Sequence, residues 1–290
     1  MLLRLTLVLA LMIQAPAAVR FDSDRAWEHL RQLVSLGPRP AGSAGIEQSR
    51  AYIRKQLAAA GVPVVQQTWD AVTPRGAVRM VNLIAAIPGA RTDRLVVAGH
   101  YDTKRFDDIR FVGANDGGSS AALLIEIARV LKARKNALTI ELLFLDGEEA
   151  VIQWQGEDRT YGSRHYVETA RKDGSLRSLR AMILVDMVAD RDLRMKRELN
   201  STPWLTDIIW DTARREKLGA YFLAEPTQIE DDHLPFIQAG VPAVDLIDLD
   251  YAPWHTAGDT LDAVSARSLQ IVGDVLLAAL PQIEARLGSK

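Results

Sequence analysis

The 290-residue chain contains no cysteine. That absence excludes disulfides, thiolate metal sites, a cysteine nucleophile and lipid attachment through a cysteine. Any transition metal must therefore be held by His, Asp and Glu. The chain also lacks an excess of either charge. Its 35 Lys and Arg stand against 37 Asp and Glu, a net charge of -2, which gives no reason to expect nucleic acid or an acidic membrane as partner. Basic residues are scattered apart from short clusters such as Arg191 to Arg197, read as a solvated face. There is no internal repeat or low-complexity segment, and nothing after the N-terminus resembles a membrane helix.

What is there begins with MLLRLTLVLALMIQAPAAVR: a single Arg4, an apolar run from Leu5 to Ile13, and Ala15, Ala17 and Ala18 in an A-x-A arrangement. This pattern is that of a secretory signal peptide, residues 1–18, cut after Ala17 or Ala18. It places the mature chain outside the cell or in the periplasm. An uncleaved segment would instead act as an N-terminal anchor. Residues 19–290 are expected to form one domain, since apolar and helical patterns alternate evenly along them.

Two helices are expected first, over Ser23 to Leu36 and up to about Ala59, followed by a hairpin of Val62 to Trp69 and Val78 to Ile87 around the turn Thr73 to Gly76. From Leu95 the pattern becomes strand, loop, helix, repeated. Strands are expected at Leu95 to Ala98, Leu138 to Leu145, Ala181 to Val185 and Ala243 to Ile247. Helices are expected at Ser119 to Ala133, Ser163 to Lys172, Pro203 to Lys217, Asp232 to Ala239 and Ala266 to Leu287. The fold class is α/β, a three-layer α/β/α sandwich with a mixed, largely parallel central sheet.

The stretch IELLFLDGEEAVIQW, Ile140 to Trp154, is a buried strand that stops in Asp146, Gly147, Glu148 and Glu149. In α/β proteins chemistry gathers where parallel strands end. Neighbouring glutamates point apart, so if Glu149 faces a metal, Glu148 is free to move a proton. A lone acidic pair is more often a solvated loop. Here, however, strand after strand ends in a polar group: His100 and Asp102 after one, Glu148 and Glu149 after the next, Asp186 after the third, and Asp248 with His255 after the last. Asp116 stands at a glycine-rich loop, GANDGG, just before a helix. Zinc suits such a nitrogen and oxygen set, whereas calcium prefers more oxygens and no imidazole.

Taken in order, GHYDTK, GANDGG, FLDGEEA, LVDM and YAPWHT resemble the co-catalytic zinc aminopeptidase clan, and within it the zinc-dependent glutaminyl cyclases of the animal type. DGEEAVIQW followed by TYGSRHY, EDDHLPFIQAGVP with its Asp231, the TPRG turn and Trp254 before His255 are similar to the cyclase branch. ANDGGSSAA reads more like an aminopeptidase, and the paired cysteines common among animal cyclases are absent.

The resemblance implies one Zn2+ per chain on Asp116, Glu149 and His255, with substrates that are peptides or proteins beginning with glutamine. It implies Glu148 as proton shuttle, Asp186 and Asp231 as groups that hold the amide nitrogen and share protons, and Trp154 and Trp254 as pocket walls. The product is a pyroglutamyl peptide and ammonia. The alternative is a secreted aminopeptidase, in which His100 and Asp186 complete a second zinc site and Asp116 bridges two ions. A binding module without catalysis on the same scaffold is the third reading.

Overall fold

The computed structural model describes residues 19–288; the proposed signal segment, residues 1–18, lies outside them. Helix α1 (Ser23–Ser35) starts where Asp22 caps it, its side chain accepting the N–H groups of Asp24 and Arg25. Helix α2 is Ala44–Ala59 and opens on Ser43 as its cap. The hairpin follows as β1 (Val65–Thr73) and β2 (Gly76–Ile87). Then come β3 (Arg91–His100), α3 (Gly118–Ala133), β4 (Leu138–Leu145), α4 (Tyr161–Lys172) and β5 (Leu179–Asp186). The chain continues through β6 (Met195–Glu198), α5 (Pro203–Arg215), β7 (Phe222–Thr227), α6 (His233–Gln238), β8 (Ala243–Ile247) and α7 (Ala266–Gly288).

Six strands form the main sheet in the order β1-β2-β4-β3-β5-β8. β1, β2 and β4 pair antiparallel, while β4, β3, β5 and β8 run parallel. The parallel strands are buried on both faces, and residues alternate between two packed layers as the strand period of two requires. Leu95, Val97, Leu142, Phe144, Ile183 and Val185 join the layer containing Leu30, Leu33, Ile53, Leu123, Ile209 and Val272, from α1, α2, α3, α5 and α7. Val96, Ala98, Leu143, Leu145, Met182 and Leu184 pack instead with Tyr166, Val167 and Phe236, from α4 and α6. The three-layer sandwich with a mixed, largely parallel sheet is thus the observed fold.

Strands β6 and β7 depart from the sequence reading, which expected neither. Met195–Glu198 is a strand, paired in parallel with β7 in a separate two-stranded sheet. The cluster Arg191 to Arg197 is therefore not simply a solvated face: Leu193 and Met195 are buried between its exposed charges. Four residues with a charged pair inside them carry too little periodicity to be seen.

Sheet order reverses at β3, which has β4 on one side and β5 on the other. The loops leaving these strands diverge there and open a crevice at their carboxyl ends. No helix among the described residues is long and apolar enough to cross a membrane.

Candidate active site

His100 is the last residue of β3 and Asp186 the last of β5, so the sheet itself fixes both. Nε2 of His100 lies 3.0 Å from Oδ1 of Asp186 and 3.2 Å from Oδ1 of Asp116. Nε2 of His255 lies 3.1 Å from Oε1 of Glu149 and 3.2 Å from Oδ2 of Asp116. Asp116 thus stands between two clusters, His100/Asp116/Asp186 and Asp116/Glu149/His255, and within each the potential ligand atoms lie within 4.8 Å of one another. A tetrahedral shell with bonds of about 2.0 Å places its ligand atoms roughly 3.3 Å apart, close to the contacts found here. Buried Oδ2 of Asp116 makes no well-formed hydrogen bond although His255 stands 3.2 Å away, as a carboxylate oxygen placed for a cation would. The residues present fit a divalent cation, and the donor set suits zinc.

The loops are held by buried groups, of which only Asp102 was among the sequence candidates, there as a possible ligand or catalytic group. Asp102 accepts the backbone N–H of Glu148 at 3.2 Å and of Glu149 at 3.3 Å, fixing the acidic turn from β3. Asp259 does the same for the other ligand loop, taking the N–H of Asn115 at 2.8 Å and of Asp116 at 3.2 Å, and the hydroxyl of Tyr251. Fully buried Arg39 ties together the two ends of the loop between β3 and α3: Nε donates to Tyr101 O at 3.0 Å, Nη1 to Val112 O at 2.5 Å and Nη2 to Gly113 O at 2.7 Å. Gly117 is obligatory between Asp116 and α3, because a Cβ there would come 2.2 Å from Asp102 O, and its φ is +74°. Arg39 and Asp259 carry no mark in the sequence, since an isolated Asp or Arg in a loop looks like any solvated one.

Glu148, Asp186, Asp231, Trp154 and Trp254 line one cavity of about 570 Å³ with Asp116, Glu149 and His255. The structure therefore brings together every expected catalytic, metal and pocket residue. His100 lies behind this wall, buried at 1% exposure and in contact with Asp116 and Asp186. Asp248 does not join them. Its carboxylate accepts the N–H groups of Arg194 and Asp250 instead, so it is a loop anchor rather than a ligand.

Electrostatics follow from so many acids in one buried place. Burial, followed by Glu149, Asp231 and Asp232, pushes the Glu148 carboxyl well up against the pull of His100. Burial and then Asp186 and Asp232 push Asp231 the same way. Glu149 rises to about 7, through burial and Asp116. Burial opposes charge on both imidazoles, yet the acids outweigh it: Asp186 and Glu148 hold His100 well above its usual range, and Asp116 and Glu149 raise His255 to about 9. Asp116 goes down despite burial because both histidines face it. A bound cation would reverse this balance and keep its carboxylate ligands ionised.

An α/β sandwich with overlapping carboxylate and imidazole clusters at the carboxyl edge of its parallel strands defines a metallo-exopeptidase type of scaffold. The chain belongs to peptidase family M28, whose profile matches residues 82–280. It is similar to the glutaminyl-peptide cyclotransferase-like protein of Bos taurus, 32% identical over 272 residues, covering 83% of this chain and 70% of that one. Among solved structures it is similar to the Acidobacteriales bacterium glutaminyl cyclase, at 40% identity and a TM-score of 0.89, covering 97% of this chain and all of that one. The glutaminyl cyclase of Fimbriiglobus ruber superposes with a TM-score of 0.84 at 31% identity, over 92% of this chain and 96% of the other.

Proposed function

We propose that the chain is a metal-dependent glutaminyl-peptide cyclotransferase, converting N-terminal glutamine of peptides or proteins to pyroglutamate with release of ammonia. The observation that carries this reading is the convergence of three carboxylates, Glu148, Asp186 and Asp231, on one pocket beside Asp116, Glu149 and His255. Hydrolysis of a peptide bond needs one base near the metal. Cyclisation has to take a proton from an amine, hand one to a departing amide nitrogen, and hold that nitrogen meanwhile, which suits a proton-sharing group of acids.

Asp116, Glu149 and His255 would hold one Zn2+, and the ion, when bound, supplies Lewis-acid polarisation of the glutamine side-chain carbonyl. The substrate's α-amine attacks the side-chain carbonyl carbon, the new C–N bond closes a five-membered ring, and the C–N bond to the amide nitrogen breaks. Glu148 accepts the proton from the attacking nitrogen and delivers it to the leaving nitrogen, which departs as ammonia. Its raised affinity for protons is what that two-way role requires near neutrality. Asp186 and Asp231 accept hydrogen bonds from the amide nitrogen, and burial, then Asp186 and Asp232 nearby, favour the protonated form of Asp231. Trp154 and Trp254 wall the pocket, excluding water and confining the side chain near its attack geometry.

Residues 19–290 are taken as one catalytic domain, exported by way of residues 1–18. The cluster His100/Asp116/Asp186 favours a second reading, a two-metal aminopeptidase. One assay separates them: the metal-loaded protein is given a glutaminyl peptide and an aminoacyl amide, and the products of each are identified by mass. Loss of 17 mass units, roughly one ammonia, from an otherwise intact peptide is expected on the cyclisation chemistry above. Release of free amino acids, without ring closure, would sink the proposal.

A further inference from the structure

We propose that Arg159 is a positioning residue: paired with Glu230, it latches the loop that carries Trp154 to the loop that carries Asp231, and so holds one wall of the pocket closed. The proposal rests on the glutaminyl-peptide reading above. Trp154 is a wall residue that stands outside the core. It lines the cavity beside Glu230 and Asp231, yet it joins none of the hydrophobic clusters of the sandwich, and its neighbours Gln153, Gln155 and Gly156 are exposed. An indole so placed turns freely unless something meets its ring, because no close packing selects one rotamer. The Arg159 guanidinium meets it, 5.7 Å from the ring centroid.

The base of this loop is fixed independently of the latch. The buried carboxylate of Asp158 accepts the N–H groups of Val151, Ile152 and Gln153, each at 2.9 Å. The N–H groups of Thr160 and Tyr161 donate to Glu148 O and Gly147 O, each at 2.8 Å. Arg159 O accepts Nε of Arg164 at 3.2 Å and Nη2 at 3.0 Å, so the Arg159 side chain leaves a backbone already in place. Its guanidinium then reaches across to Glu230, 71 residues away in the chain. Behind this contact Ser163 donates to Asp232, which keeps α4 and the Asp231 segment in register. The Arg159 to Glu230 pair carries the same seam outward to the rim.

Both partners are partly in water, Arg159 at 26% and Glu230 at 57% exposure. Such a pair is weak and salt screens it, so the latch can open. A pocket closed for only part of the time binds substrate with an affinity lowered by that fraction, whereas the bound complex is already closed and turns over as before. Loss of the latch therefore raises KM and spares kcat.

The test uses the amidated dipeptide Gln-Gly and the zinc-loaded protein, with ammonia as the readout. Arg159→Ala is expected to raise KM by about three- to tenfold with kcat held within about twofold, from the combined ion-pair and ring contacts it removes. Arg159→Lys, which keeps a cation, should recover part of that loss. Glu230→Gln should raise KM less, and adding it to Arg159→Ala should cost nothing further, since its effect runs through Arg159. Salt at about 1 M should raise KM in the unaltered protein and leave it nearly flat in Arg159→Ala. Thermal midpoints should agree among the variants, because an exposed pair adds little stability. An unchanged KM in Arg159→Ala, a loss confined to kcat, additive effects of the two substitutions, or equal salt dependence in both proteins overturns the latch alone. No turnover of any glutaminyl peptide by the unaltered protein overturns the functional reading and the latch with it.

Discussion

The carboxylate of Asp259 accepts the backbone N–H of Asp116 at 3.2 Å, so that one buried acid sets the position of another. Asp116 in turn faces both His100 and His255. Groups that orient a metal ligand without touching the metal commonly affect affinity by 10–100-fold. Asp259→Ala is therefore expected to weaken zinc binding by about that factor, measured by competition with a chromophoric chelator. Tyr251→Phe, which removes only the hydroxyl bonded to Asp259, should weaken it far less. Equal affinities in all three proteins would mean that the Asp116 loop is held from elsewhere.

Glu148 and Glu149 are adjacent, buried and differently used. Glu149 meets His255 at 3.1 Å, whereas the side chain of Glu148 approaches His100 only at 3.7 Å. Glu148→Gln should keep zinc while kcat falls by about 10²-fold or more, the usual contribution of a positioned proton carrier. Glu149→Gln should lose zinc on dialysis against a mild chelator. Metal content by elemental analysis, read beside turnover, separates the two. A fully active Glu148→Gln protein would remove the shuttle from the mechanism, and two tightly held ions per unaltered chain would favour the aminopeptidase.

Arg39 is a buried cation whose hydrogen bonds go to three carbonyls, with Asp259, Asp116 and Asp102 close enough to act on its charge. Burial lowers its pKa to about 10, which still leaves it protonated at neutral pH. Arg39→Leu leaves those carbonyls unpaired at about 1–3 kcal/mol each and removes positive charge from beside the acids. The metal-free protein is expected to lose more stability than the zinc-loaded one, because zinc restores positive charge and binds only the folded state. Thermal unfolding with and without chelator measures the difference; an equal loss in both forms would make Arg39 a packing residue with no tie to the site.

The fold was legible because the parallel strands are long, apolar and followed by helices of clear period, as Leu138–Leu145 and Gly118–Ala133 show. The clustering of the candidate ligands was legible because His100, Glu149, Asp186 and His255 all fall at strand ends or in the loops beyond them, places set by topology. Asp248 shares that placement yet anchors Arg194, so position after a strand selects candidates without deciding between them. Arg39, Asp158 and Asp259 escaped notice because their importance lies in which backbone groups they meet, across separations of up to 144 residues. Sequence spacing holds no record of such contacts. Strand β6 escaped for a related reason, since it is short and its pairing with β7 is made only in three dimensions.

Several buried acids that are not expected to bind metal set a pH dependence of stability. Burial and Asp102 raise Asp146 to about 7, burial raises Asp232 to about 7, and burial raises Asp248 to about 6. Each binds its proton more tightly folded than unfolded. Their contribution is thus fully present below about pH 4 and is lost as pH rises through 6 to 7. Glu198 acts oppositely: despite burial, its bonds to His233 and to the backbone of Asn200 lower it to about 2, so its contribution holds above about pH 4.5 and is lost as pH falls toward 2. The zinc-loaded protein should accordingly be most stable at about pH 4 to 4.5, as far as zinc stays bound, and decline by a few kcal/mol, roughly, as pH rises to about 7. Urea midpoints at constant zinc activity measure the curve. Asp248→Asn should flatten the limb around pH 6 by about 1–3 kcal/mol, since it removes a charge that burial disfavours and keeps an oxygen for the N–H of Arg194. A variant whose curve runs parallel to that of the unaltered protein would show that Asp248 is already ionised at acidic pH in the folded state.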